Sequence, residues 1–378
     1  MRPHSKRRSR SATGLDLNSA SSTRILRGLV TSNASAPGLQ RLLPRRPTIV
    51  ESLGLVLVGL VVVWLAVNLD KTPTLWAEVA LVGITNGCIY ALVALGYSLV
   101  YGILELINFA HGDVFMLGGM FSITVGTSFG LRAGAADLWP LVIVCLVVSM
   151  ACCAVINAAI EFVAYRPLRH ATRLAPLITA IGMSFIIEDV GLIWKGPSYV
   201  TFPNVLPSTN LFSIGSVGVP WTTPIVVVLT VPVLLILLWL VQRTKQGKAM
   251  RATAQDMEAS AIMGINVNRT ISFTFLIAGA LAGAAGLVYA VAETTVRYDQ
   301  GFTLGLIAFT AAVFGGIGNL PGAVLGALLI GLIQAFNEGL TWHAPGSDWT
   351  ESIVFTILIM ILVFRPEGLL GERTPEGG

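Results

Sequence analysis

Charge is scarce in this chain. Only 12% of its 378 residues are Asp, Glu, Lys or Arg, about half the usual share of a soluble globular domain. Hydrophobic residues make up 54% and the mean hydropathy is +0.77. The apolar residues come in long blocks, so the solvent for those blocks is lipid, which excludes a soluble enzyme or a nucleic-acid reader. Histidine is equally thin at four residues, HExxH is missing, and no cluster of His, Asp or Glu in the apolar blocks would suit a metal. No GxxxxGK[ST] occurs, and Gly247-Lys248 is followed by Ala249, so the chain does not itself cradle ATP phosphates. Nor is there an arginine ladder for voltage sensing. No catalytic residue, metal ligand or cofactor is expected. Cys88, Cys145, Cys152 and Cys153 lie in apolar stretches without CxxC spacing and read as small buried hydrophobes.

The net charge of +4 divides by position. Residues 1–46 hold ten Lys/Arg against one acid, Asp16, leaving 14 basic and 19 acidic residues in the body. This tail, rich in Ser, Arg and Pro, lacks the apolar surface to fold, and we read it as a disordered basic segment near anionic headgroups. Arg45-Arg46 before an apolar run raises an export signal. No small-residue cleavage site follows the run from Ile49 to Val67, so an extra N-terminal transmembrane helix within 47–70 is expected.

Apolar runs recur at about 75–101, 113–131, 138–160, 174–194, 223–241, 271–291, 304–319, 321–337 and 351–364. The expected fold is all-α, a polytopic transmembrane helical bundle of about 8–10 spans filling 75–371. The pair 304–337 is open: its centre, Gly315-Gly316-Ile317-Gly318-Asn319-Leu320-Pro321-Gly322, is either a tight turn between two spans or a break in a re-entrant element. Loops of one parity carry ten Lys/Arg (Arg166, Arg169, Arg173, Arg243, Lys245, Lys248, Arg251, Arg269, Arg365, Arg373) and the opposite loops four (Lys71, Arg132, Lys195, Arg297). The positive-inside rule therefore puts both termini in the cytoplasm and the 195–222 loop outside. Gly279-xxx-Gly283, Ala282-xxx-Gly286 and Gly322-xxx-Gly326 are small-xxx-small patterns that read as helix packing.

The long loop 242–270 is the most informative stretch. Within Gln255–Ile265, Met257, Ala261 and Met263 recur at near-helical spacing, Ala259 and Ser260 permit close approach, and Gly264 ends the helix. Such a short helix is either a docking element or one lying flat on the bilayer.

Glu258-Ala259-Ser260-x-x-x-Gly264 resembles the EAA-x-x-x-G coupling loop of ABC importer permeases. More specifically, the chain resembles the LivH type of branched-chain amino-acid permease. The resemblance rests on Asn86-Gly87, Ala91–Tyr97, Val100–Ile103, Ile107-Asn108-Phe109-Ala110-His111-Gly112-Asp113, Glu161–Arg169, Gly264-Ile265-Asn266 and Phe314–Ala323. It covers about 80–371. It implies the transmembrane subunit of an ATP-driven importer in the cell inner membrane, not an enzyme itself. Its implied partners are a second homologous permease, two ATP-binding cassette subunits, an external solute-binding protein and an amino-acid substrate, with no nucleic acid. Urea or short-chain amides form the alternative substrate class, and an ion-coupled secondary transporter the rival mechanism. Three features depart from the family: the added N-terminal segment, Glu188-Asp189 where uncharged polar residues are usual, and Gln255 where an acid is commoner.

By this resemblance Asp256, Glu258, Ala259, Ser260 and Gly264 are the candidates for coupling to an ATPase. Polar groups inside spans must be satisfied or functional, which marks Asn86, Asn108, His111 and Glu188 as translocation-path candidates. Asn108 and His111 lie where a helix is expected to break, so their side chains either meet a solute or cap the broken ends. Glu105 and Asp113 flank the same element as solvated acids or a gate. Glu188 either pairs with Lys195 near the outer surface or meets an arriving ammonium.

Overall fold

Long apolar helices dominate the computed structural model, which describes residues 62–130, 139–169, 171–172, 174–207, 209–365 and 367–371. The expected basic tail (1–46) and most of the expected N-terminal span lie outside the described residues. Residues 64–71 are helical, and within them Trp64 and Asn68 donate to the Trp342 carbonyl at 2.9 and 3.3 Å. The bundle proper consists of α1 (Pro73–Leu104), α2 (Ala110–Ser128), α3 (Trp139–Ile160), α4 (Leu174–Lys195), α5 (Thr222–Arg243), α6 (Lys245–Gln255), α7 (Met257–Ile262), α8 (Val267–Glu293), α9 (Gln300–Gly315), α10 (Leu320–Gly339) and α11 (Thr350–Phe364). Among the described residues seven helices are long and apolar enough to cross a membrane, and α9 is a shorter apolar helix.

Helices apolar on all sides must be buried on all sides or face lipid. α1 and α8 take the first course, and nearly every residue from Gly87 to Val100 and from Ala278 to Val288 is buried. α3, α4, α5 and α11 take the second, carrying most of the exposed large side chains, such as Val147, Phe185, Leu235 and Leu362. Contact is made through glycine. A methyl group on Gly279 or Gly283 of α8 would come within 2.4 or 2.5 Å of the Cys153 or Ser149 carbonyl oxygen of α3, and one on Gly331 of α10 within 2.4 Å of the Gly87 nitrogen of α1. The Ser149 hydroxyl lies 2.8 and 2.9 Å from the Gly118 and Gly283 carbonyl oxygens, tying α2, α3 and α8 together. The small-xxx-small patterns thus work as packing surfaces, Gly286 against Gly119 and Gly326 against Ala311 included.

The neighbour pattern is that of an internal repeat. α1 packs along α10 as α8 packs along α3; α2 rests on α3 as α9 rests on α10; α4 leans on α2 and α11 on α9. Both central helices end on a non-glycine residue in the left-handed region, Glu105 (φ 52°) after α1 and Thr294 (φ 58°) after α8. Each is followed by a short non-helical segment and then a shorter helix.

The 304–337 region resolves as a tight turn. α9 and α10 form a hairpin through Gly316 (φ 113°) and Gly318 (φ 88°). A left-handed or mirror-region φ at both positions is strained for any residue with a Cβ. The 195–222 loop carries two small sheets, β1 (Val200–Thr201) with β4 (Thr295–Val296), and a hairpin of β2 (Asn210–Ile214) and β3 (Val217–Pro220).

Gly283→Ala should destabilise the solubilised protein by about 1–3 kcal/mol through overpacking against Ser149. Gly182→Ala, on α4 with open space around it, should leave the thermal midpoint in detergent unchanged or slightly higher. Equal midpoints for the two variants would show that the backbones do not meet at Gly283.

Candidate functional site

Two places stand out, and both lie at one end of α8. The first is the connection between α5 and α8. Thr244 caps α6, its hydroxyl accepting from the Gly247 N–H at 3.0 Å. Asp256 caps α7, its carboxylate accepting from the Ala259 N–H at 2.9 Å. α7 ends in a Schellman turn: the Ile265 N–H donates to the Ser260 carbonyl and the Gly264 N–H to that of Ala261, at 3.0 and 3.1 Å, with Gly264 at φ 86°. Asn266 then caps α8, accepting from the Arg269 N–H at 3.0 Å.

Of the predicted coupling residues, Ser260 is buried against the rest of the chain, whereas Asp256, Glu258, Ala259 and Gly264 are exposed. Ile262 and Met263 stand 86% and 81% exposed beside them, with Met257 at 37%. α7 therefore presents an apolar patch bordered by two acids. An open cavity of about 510 Å³ lies at the same end, lined among others by Ser98, Gly102, Gln242, Arg251 and Asn319. Arg251 crosses its wall to donate to the Val241 carbonyl at the end of α5.

The second place is a buried polar network around the break between α1 and α2. The break falls at residues 105–109. The side chain of Asn108 turns away from both helix ends: its carbonyl accepts from the Tyr165 hydroxyl at 2.8 Å and its amide donates to Asn157 at 3.4 Å. Asn157 in turn donates to the Phe275 carbonyl of α8 at 2.6 Å. The expected capping role thus belongs only to the Asn108 backbone carbonyl, which accepts from the His111 N–H. His111 is fully buried edge-on to Tyr97, its ring occupying the space above Gly96, and neither ring nitrogen has a hydrogen-bond partner.

Asp113 corrects the sequence reading. It is fully buried rather than solvated, because α4 supplies Ser184, whose hydroxyl donates to one carboxylate oxygen, and Gly301 of α9 leaves room for the other. Asn86 is half-buried on α1, and Glu188, one turn beyond Ser184 on α4, is half-buried as well. Lys195 lies over the Trp194 ring instead of pairing with Glu188. The structure thus brings Asn108 and His111 together at the break, while Asn86 lies on α1 and Glu188 on α4.

Sequence reasoning missed the rest of the network. Past Ile160, α3 continues as a π turn (Glu161–Tyr165) and a 3-10 turn (Arg166–Leu168). Glu161, fully buried, accepts from the Ser272 hydroxyl at 2.6 Å and pairs with Arg169, which also donates to Asn268. Burial pulls the Arg169 guanidinium below its ordinary value and the Glu161 carboxylate pushes it back up. The signal was present: an acid and a base eight residues apart at the end of an apolar run.

Residues 79–363 match the family model described as "Branched-chain amino acid transport system / permease component". The chain belongs to this family. It is 38% identical over 297 residues to the high-affinity branched-chain amino acid transport system permease protein BraD of Pseudomonas aeruginosa, covering 78% of this chain and 95% of that one. It is 34% identical over 299 residues to LivH of Escherichia coli K12, with the same coverage. A probable LivH permease of Methanocaldococcus jannaschii is 27% identical over 300 residues. No solved structure matches. This permease is thus a multi-pass membrane protein, and the matched region begins at residue 79 in α1 and ends within α11, so the residues before 79 lie outside it.

In a chain whose four native cysteines are replaced by alanine, Ile262→Cys should react with a bulky maleimide in the solubilised native protein. Asn108→Cys should react only after denaturation. Labelling of both before denaturation would contradict the closed interior around the α1–α2 break.

Proposed function

We propose that this chain is the membrane-spanning subunit of an ATP-driven importer for branched-chain or related aliphatic amino acids. It works in the cell inner membrane with both termini in the cytoplasm. It assembles with a second homologous permease, two ATP-binding cassette subunits and an external solute-binding protein. Beyond family membership, one observation supports the reading: the exposed patch of Met257, Ile262 and Met263 on α7. Helices that lie flat on a bilayer are usually longer and carry Lys or Arg on the polar face. α7 has six residues, no base of its own, and the acids Asp256 and Glu258, which anionic headgroups repel. An ATPase subunit would cover the patch, and burying Ile262 and Met263 is worth about 1.5–3 kcal/mol each.

In this reading Asp256, Ser260 and Gly264 fix the shape of the coupling helix, and Glu258 with Ala259 meets the ATPase. Closure of the ATPase dimer displaces α7 and switches the pore between inward and outward access by rigid-body motion. Asn86 and Glu188, the two half-buried path candidates, face the solute route. Asn108 and His111 serve it indirectly by holding the α1–α2 break. An ion-coupled carrier is disfavoured because the buried acids among the described residues, Asp113 and Glu161, are closed off inside the bundle.

Glu258→Arg should reduce uptake of labelled leucine to background while the amount of permease in the membrane stays at the wild-type level. A tagged wild-type chain should co-purify in mild detergent with an ATPase and a second permease, and the variant should lose the ATPase. Wild-type uptake by the variant would remove α7 from the coupling role.

A further inference from the structure

Joined end to end, the two polar places form one path. α7 and α8 are separated by a four-residue connection held at one end by the Schellman turn at Gly264 and at the other by the Asn266 cap, which ties α7 closely to the first turn of α8. From that first turn Asn268, Ser272 and Phe275 share one helical stripe, four and then three residues apart. Asn268 meets Arg169, Ser272 meets Glu161, and the Phe275 ring lies tilted against Tyr165 with the centroids 5.5 Å apart. Tyr165 then reaches Asn108 in the break between α1 and α2, and Asn157 closes the loop back to the Phe275 carbonyl.

We propose that Glu161, Arg169 and Tyr165 are positioning residues that carry displacement of the α7–α8 joint to the α1–α2 break, setting which side of the bundle opens. The inference rests on the ATP-coupled reading above and names residues that the resemblance does not assign to coupling. Three features favour transmission over simple stabilisation. An ion pair whose acid is fully buried and whose base is mostly so is commonly no more stable than apolar residues of the same volume, so holding the bundle together does not require one here. The Arg169 Nε is buried without a partner, so the cluster is not fully satisfied. The helix carrying it is wound as a π turn at this point, a form concentrated at functional sites.

The test uses the complete transporter reconstituted with its solute-binding protein, reading uptake and stimulated ATP hydrolysis in parallel. Tyr165→Phe removes one hydroxyl and keeps the ring on Phe275; Glu161→Gln removes the charge and keeps the shape. Both should assemble at the wild-type yield, with uptake per ATP hydrolysed falling about tenfold, within the range of typical coupling energies. Unchanged uptake per ATP in both variants would overturn the proposal. So would a parallel loss of uptake, hydrolysis and complex yield, which would make the cluster merely structural. Absence of ATP-dependent uptake in the wild-type complex would instead overturn the ATP-driven reading, and is read first.

Discussion

Backbone meets backbone where α8 crosses α3 and α2, and much else in the bundle follows from that contact. Lipid offers no partner to a polar backbone group and no hydrophobic reward for bringing two apolar helices together. Close approach supplies the attraction instead, and it requires that no side chain intervene. Gly279, Gly283 and Gly286 meet that requirement on α8, as Gly83, Gly87 and Gly331 do between α1 and α10. The same close approach puts the Ser149 hydroxyl within reach of two helix carbonyls at once. A bundle packed this way has little slack, because neighbouring backbones have no flexible side chain between them to absorb a shift.

The interruptions gain their meaning from that rigidity. α1 and α8 are the most buried helices, and each stops at a left-handed residue before a shorter helix resumes. A break inside a lipid-embedded bundle leaves carbonyls and amides that protein must satisfy. At the first break Asn108, Tyr165 and Asn157 provide a polar lining. At the second, the Phe202 N–H donates to the Thr294 carbonyl at 2.7 Å and β1 pairs with β4. The two halves repeat the same backbone device but meet its polar demand differently, with side chains in one and a strand pair in the other.

The helices were legible from hydropathy because lipid imposes one requirement over about 20 residues at a time. The loop helix α7 was legible because Asp256 and Gly264 are local signals, a cap and a stop, that act within one turn. Asp113 was not legible. Its burial depends on Ser184, 71 residues away in sequence, and on the absence of a side chain at Gly301. The π turn was equally hidden: Glu161 within it reaches Ser272 on α8, 111 residues away in sequence, and no periodicity within Glu161–Tyr165 records that. His111 shows the limit most sharply: its place is set by the missing side chain of Gly96, and a pair of positions 15 apart carries no pattern to reveal it.

Rigid packing also decides where a displacement at the α7 end can go. A push on the first turn of α8 finds little room for repacking at Gly279 and Gly283, where the backbones already meet so closely that an added methyl would lie 2.4 or 2.5 Å from a carbonyl oxygen of α3. Sliding of α8 past α3 would also break the Ser272 and Asn157 hydrogen bonds together. The motion must therefore pass to α3 as a unit and be taken up where the chain is not helical. Residues 105–109 and 294–299 are such segments, and they lie at the ends of the two most buried helices. Densely packed elements tend to change between discrete arrangements rather than deform smoothly. Segments that interrupt them are where φ and ψ can differ between two such arrangements, which makes the breaks the counterpart of the close packing rather than exceptions to it.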